Sequence, residues 1–248
     1  METLFRYTAA PSPCGYLPAQ RWSLEYEYVA ELSPAEYLQR MVEGWRRFGR
    51  MLFRPACEGC RACRALRVRA ADFRPDRSQR RCRRANEGAV ELCVGRPAVS
   101  PVKLALYDRY HAFQTGSKGW PEHAPRDVSA YADSFVEQPF EVEEWCYYLG
   151  GRLVGVGYVD YLPQAPAGRA GPGVEGLSAI YFFYDPQERG RGLGTWNVLC
   201  LLDEARRRGL PYVYLGYYVE GCPSMEYKPR FVPNQLRGDD GVWRDFRP

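Results

Sequence analysis

The segment that most limits what this chain can fold into runs from Leu177 to Tyr218. Leu177–Tyr184 reads as an apolar strand, Leu193–Arg208 as a helix and Pro211–Tyr218 as a second buried strand. Between the first strand and the helix lies Arg189-Gly190-Arg191-Gly192-Leu193-Gly194-Thr195. Its glycines leave backbone N–H groups open to an anionic or carbonyl oxygen, and the following helix adds its positive N-terminal end. A glycine turn that serves only tight strand–helix packing is the competing reading. Upstream, Cys146–Leu149 and Leu153–Tyr161 have period two and flank Gly150-Gly151, a compact hairpin. The order hairpin, strand, glycine-rich loop, helix, strand predicts an α+β fold with a mixed sheet flanked by helices.

That order is the arrangement of the GNAT acyltransferase core, and the loop resembles its Arg/Gln-x-x-Gly-x-Gly donor motif. Arg189, Arg191, Gly192, Gly194 and Thr195 are the candidate donor-binding residues. In GNAT acetyltransferases such a loop holds the pyrophosphate of coenzyme A.

A second constraint is charge. Trp45 to Arg84 carries fourteen Arg and no Lys against Glu58, Asp72 and Asp76, a local +11 in a chain of net +4, so the rest sums to −7. Such a block suggests a polyanionic partner, with guanidinium groups forking phosphates; a solvated basic face is the plainer reading. Within it, Leu66, Val68 and Ala70 alternate with Arg67 and Arg69, a half-buried strand showing guanidinium groups on one face. Ser33-Pro34-Ala35-Glu36 is a capping box that predicts a helix to about Phe48. Further helices are expected over 78–87, 103–114 and 127–137, with Pro163–Gly176 as a loop. The division is expected near residue 95: a Cys- and Arg-rich N-terminal domain, 1–95, and a GNAT-like domain, 96–248.

Of nine cysteines, Cys57, Cys60 and Cys63 recur every third residue. With Cys14 they resemble an iron–sulfur ligand set, and four thiolates equally suit zinc. Reduced packing cysteines without metal remain an alternative. No apolar run of about 18 residues exists, and the first residues lack the pattern of a secretion signal. A cytoplasmic chain without membrane contact is expected.

Read in order, these pieces resemble the arginyl-tRNA–protein transferase family, nearest its bacterial aspartate/glutamate leucyltransferase branch. The matching segments include Cys14-Gly15-Tyr16-Leu17-Pro18, Trp45-Arg46-Arg47-Phe48-Gly49 and Phe53-Arg54-Pro55-Ala56-Cys57-Glu58-Gly59-Cys60. They continue with Phe73 to Arg81, Gly176 to Pro186, Leu193-Gly194-Thr195 and Met225-Glu226-Tyr227-Lys228-Pro229. The resemblance implies transfer of Leu or Arg from charged tRNA to the N-terminal amine of proteins beginning with Asp or Glu, a step that marks them for N-degron degradation. It also implies that Cys14 and the Cys57 cluster lie where eukaryotic relatives hold an iron–sulfur cluster, although their second early cysteine is Leu17 here. After Tyr110 the chain departs from the family's Arg-His and Gly-Met pattern.

An aminoacyl ester is already activated, so proximity and oxyanion stabilisation suffice, and an α-amine titrating near about pH 8 is a usable nucleophile. Ser178, Tyr181, Tyr214 and Tyr217 are expected to orient the amine or relay a proton, beside a strand splay at Leu177–Tyr184. Arg77, Arg80, Arg81 and Lys228 are expected to hold the acceptor's carboxylate. No cofactor is needed for the chemistry. The alternatives are a coenzyme A-dependent N-acetyltransferase and a non-catalytic, metal-bearing RNA-binding module.

Overall fold

A computed structural model describes residues 1–125, 127–163 and 173–247. The strands and helices in chain order are β1 (Glu2–Thr8), β2 (Ser12–Pro13), β3 (Arg21–Trp22), β4 (Leu24–Glu31), α1 (Pro34–Val42), β5 (Arg46–Phe48), β6 (Met51–Pro55) and β7 (Arg64–Arg69). They continue with α2 (Arg77–Asn86), β8 (Val90–Gly95), α3 (Pro101–Lys118), α4 (Val128–Phe135), β9 (Glu143–Leu149), β10 (Arg152–Leu162) and β11 (Gly176–Tyr184). After a 3₁₀ turn at Pro186–Arg191 come α5 (Leu193–Arg207), β12 (Tyr212–Tyr218), β13 (Asn234–Arg237) and β14 (Trp243–Phe246). Most of the expected Pro163–Gly176 loop lies outside the described residues.

The frame is a mixed eight-stranded sheet ordered β14-β13-β7-β12-β11-β10-β9-β8. One face buries α5 with Leu66, Val68, Leu177 and Val213; the other buries α3 and α4 with Val156, Tyr158 and Phe183. This is the α+β core, a mixed sheet flanked by helices, expected from the periodicities. Strands β7 and β8, from before residue 96, hydrogen-bond into it, so the sheet is built from both sides of the expected division. A four-stranded sheet, β1-β4-β6-β5, carries α1 and meets the large sheet through Leu162 and Tyr214.

Helix α1 starts where expected: Ser33 Oγ accepts from Glu36 N at 3.3 Å, and the Glu36 carboxylate accepts from Ser33 N at 2.9 Å. It does not reach Phe48. It stops at Val42, the chain reverses at Gly44 with φ +99°, and Arg46–Phe48 becomes a strand. That change turns Arg46 and Arg47 into strand residues, both buried. Arg67 departs from expectation as well. Its guanidinium is not displayed but stacked between Tyr212 at 3.8 Å and Trp243 at 4.4 Å, because β13 and β14 extend the sheet beside β7.

Candidate active site

Strands β11 and β12 run parallel and pair only over Gly176↔Tyr212, Leu177↔Val213 and Ser178↔Tyr214. Beyond Ser178 they diverge, and among the described residues β11 has no strand partner on its β12 side. The wedge opens into a cavity of about 590 Å³, a size that suits a small ligand or the end of a large one.

One wall is the start of α5. Gly192 holds φ +68° and caps the helix without any side-chain hydrogen bond, so the N–H groups of the first turn stay open. Gly192, Leu193, Gly194 and Thr195 all line the cavity, as the loop reading requires. Arg189 and Arg191 do not. Arg191 is spent on Glu188 at 3.1 Å and on the Ala85 carbonyl at 3.0 Å, while Arg189 is exposed to solvent.

The opposite wall is cationic. Arg46 is 6% exposed and donates to the Trp45 carbonyl at 3.1 Å, yet its Nε and second terminal nitrogen have no partner. Lys228 Nζ donates to the Tyr217 carbonyl at 2.6 Å. Burial, and then the Arg46 charge, push its pKa down to about 7. Both cations lie beside Gly216, whose φ is +74°: a Cβ there would stand 3.8 Å from Arg46 Nε and 3.9 Å from Lys228 Nζ. Buried, unpaired N–H groups facing a cavity call for an anion, since each would otherwise forgo its hydrogen bond at a cost of about 1–3 kcal/mol, more for a charged group. Arg47, next to Arg46, has its charge met by a carboxylate, although its Nε is also without a hydrogen-bond partner among the described residues. It pairs with fully buried Asp160, donates to the Gly49 carbonyl at 2.8 Å, and stacks on Phe140 at 4.4 Å.

The four candidate catalytic residues divide. Ser178 and Tyr181 line the cavity, and Tyr181 shares a hydrogen bond with His111 Nε2 at 3.0 Å. Tyr217 lends its ring to the wall, but its hydroxyl donates to the Gly44 carbonyl at 2.7 Å. Tyr214 is core, its hydroxyl donating to the Val174 carbonyl at 2.6 Å. Burial raises the pKa of Tyr181, Tyr214 and Tyr217 above the usual phenol value. They stay protonated at neutral pH and act as hydrogen-bond donors rather than bases. His111 is pushed down to about 4 by burial and then by His123, so it is neutral and can accept from Tyr181.

Of the expected carboxylate-binding set, only Lys228 reaches the cavity. Arg77, Arg80 and Arg81 stand exposed on α2, outside the wedge. Sequence reading missed Arg46; the Trp45–Phe48 segment held the signal, but the expected helix concealed that it was a strand.

Cys14, Cys57, Cys60 and Cys63 line one small cavity of about 40 Å³, which shares Tyr16, Phe53 and Tyr217 with the larger one. Cys14 Sγ accepts from the N–H of Tyr16 at 3.4 Å and of Leu17 at 3.5 Å, and Cys57 Sγ from Ser23 N–H at 3.5 Å. Cys63 is raised to about 12 by burial and by Cys57, Cys14, Cys60 and Cys222, so Cys222 also adjoins the group. Among the described residues, no three His, Cys, Asp or Glu side chains converge closely enough to hold a single ion.

The family models for the N- and C-terminal parts of arginine-tRNA-protein transferase match residues 12–81 and 102–238. The chain belongs to this family. The aspartate/glutamate leucyltransferase of Helicobacter hepaticus is 32% identical over 235 residues, 94% of this chain and 92% of that protein. That of Halorhodospira halophila is 36% identical over 243 residues, covering 93% and 92%. That of Stenotrophomonas maltophilia (strain K279a) is 37% identical over 256 residues, covering 99% and 94%. Among solved structures, L-PGS from Bacillus licheniformis shares 14% identity at a TM-score of 0.44, covering 74% of this chain and 58% of that one. The wedge of this transferase has an open helix terminus on one side and Lys228 with a partly unsatisfied Arg46 on the other.

Proposed function

We propose that this transferase moves leucine from leucyl-tRNA to the N-terminal α-amine of proteins beginning with Asp or Glu, in the cytoplasm and as a step toward N-degron degradation. The single observation that supports this most is Arg46, buried at the wedge with unpaired N–H groups beside Lys228. An acidic first side chain meets both cations there. Its amine is then held near β11, and the aminoacyl ester enters past Gly192–Thr195. Leucine is favoured over arginine as the donor because the curated relatives at 32–37% identity carry the leucyl name.

In the reaction the free amine attacks the ester carbonyl, the C–N bond forms and the bond to the tRNA ribose oxygen breaks. The N–H groups at the start of α5 and the hydroxyls of Ser178 and Tyr181 are placed to stabilise the developing oxyanion. The proton that the attacking amine sheds balances the departing ribose oxygen, which leaves as a hydroxyl. We also propose that Cys14, Cys57, Cys60 and Cys63 take an iron–sulfur cluster in preference to zinc, as a structural element of the shared wall. Thiolate-to-iron absorption after anaerobic reconstitution, lost in Cys60→Ser, is the expected sign.

The test of the reaction is to incubate the enzyme with radiolabelled leucyl- or arginyl-tRNA and peptides differing only in the first residue. Label should enter Asp- and Glu-starting peptides from leucyl-tRNA. Transfer of acetyl from acetyl-coenzyme A, with no response to charged tRNA, would overturn the proposal.

A further inference from the structure

Arg77, Arg80, Arg81 and Arg84 follow the i, i+3, i+4, i+7 spacing that aligns side chains on one face of a helix. On α2 all four are exposed, while Gln79 and Asn86 are buried and donate to the carbonyls of Arg230 and Arg191. Their neighbour Arg83 is neutralised: it pairs with Asp203 at 2.6 Å and reaches Glu87 at 3.9 Å. None of the four exposed arginines pairs with a carboxylate among the described residues; Arg80 donates only to the Pro75 carbonyl, at 2.6 Å. Their positive charge along this face is left uncompensated and open to an anion from solution.

Position says which anion. The inner side of α2 is clamped to the donor loop. Cys82 Sγ contacts the carbonyls of Arg191 and Gly192 at 3.5 and 3.4 Å, and Asn86 Nδ2 donates to the Arg191 carbonyl at 2.9 Å. Gly192 in turn lines the cavity. Exposed Arg189 lies on the same loop and also lacks a carboxylate partner among the described residues.

We propose that the outer face of α2 is the docking surface for the sugar–phosphate backbone of the tRNA acceptor stem, whose 3′ end then passes Gly192 into the wedge. This rests on the reading of the chain as acting on charged tRNA. A ten-residue helix presents roughly 15 Å of face, enough for a few consecutive phosphates of one strand. Arginine suits them because its planar fork binds phosphate bidentately. Duplex RNA is held through shape and backbone rather than base edges, so this surface carries affinity and register without reading sequence.

The test replaces Arg77, Arg80, Arg81 and Arg84 together by Gln, which keeps the helix and removes the charge. Binding of deacylated tRNA should weaken at least tenfold at moderate salt. The slope of log affinity against log salt should become shallower by about one unit for each phosphate no longer neutralised. KM for leucyl-tRNA should rise with little change in kcat, and the melting temperature should stay at the wild-type value. Arg96→Gln, at the far edge of the sheet, should change neither affinity nor slope. Unchanged affinity and slope in the quadruple variant overturn the surface. So does a fall in kcat that tracks a lowered melting temperature, since the arginines then serve the fold. A wild-type enzyme that binds tRNA through α2 but transfers nothing from leucyl-tRNA breaks the proposed reaction and leaves the surface standing.

Discussion

Two sets of arginines share the stretch between Trp45 and Arg84, and they occupy opposite environments. Arg46, Arg47 and Arg67 are 6%, 2% and 6% exposed, on strands β5 and β7. Arg77, Arg80, Arg81 and Arg84 stand in solvent on α2. A buried guanidinium must have a specific partner or a specific ligand, because desolvation is expensive. An exposed one is cheap and acts by number, through the field it makes with its neighbours. The first set therefore assigns single residues to single jobs: Arg47 to Asp160, Arg67 to Tyr212 and Trp243, Arg46 to an incoming anion. The second forms a surface. One basic block thus holds both buried arginines and an exposed basic face.

The comparison breaks most visibly at Arg47. Arg47→Ala leaves Asp160 buried without its cation, so unfolding by denaturant should show a loss of roughly 3–5 kcal/mol. A loss under about 1 kcal/mol, the range of an exposed pair, would put Arg47 in the same class as the α2 arginines. Next comes Arg46→Gln. Losing a hydrogen bond to a charged group is worth about 1.5–3 kcal/mol, so KM for an Asp-starting peptide should rise ten- to a hundredfold. KM for leucyl-tRNA should hardly move, because Arg46 faces the acceptor side of the wedge.

Lys228 sharpens the contrast through pH. Its pKa is lowered to about 7, so its positive charge is present below that value and fades as pH rises through it. Acceptor KM should therefore climb several-fold between pH 6.5 and 8.5, while kcat rises as more α-amine is free. In Lys228→Arg the charge persists and KM should be flat over that interval. The smallest effect is at the α2 cap. Asp76 accepts from Gln79 N at 2.7 Å, and Asp76→Ala should cost about 1 kcal/mol in thermal unfolding with acceptor kinetics unaltered.

Much of this frame was legible from residue patterns. The period-two hairpin, the apolar strand at Leu177–Tyr184 and the glycine-opened helix appear at their expected places, within a few residues. So does the capping box at Ser33, while the one at Asp76 went unread. These are local signals, carried by side-chain spacing and backbone preference. Burial of the arginines was not legible, because it depends on distant partners: Arg47 meets Asp160 from 113 residues away, and Arg67 is covered by Trp243 near the other end. The same cause scattered the expected carboxylate-binding set, of which only Lys228 lines the cavity. In the sequence Arg46 and Arg80 look alike, and only the pairing of β5 with β6 inside the small sheet turns Arg46 toward the cavity. Tyrosine roles were equally hidden, since the hydroxyls of Tyr214 and Tyr217 are taken up by the carbonyls of Val174 and Gly44.

The central claim is that the buried cations of the wedge choose the acceptor. It is tested most directly by single-turnover transfer of labelled leucine from leucyl-tRNA to two peptides that differ only in Asp or Asn at the first position. The wild-type enzyme should favour Asp by well over tenfold, and Arg46→Gln should bring the two rates close together. An Asp preference that survives intact in Arg46→Gln would contradict the account and move the acceptor site elsewhere.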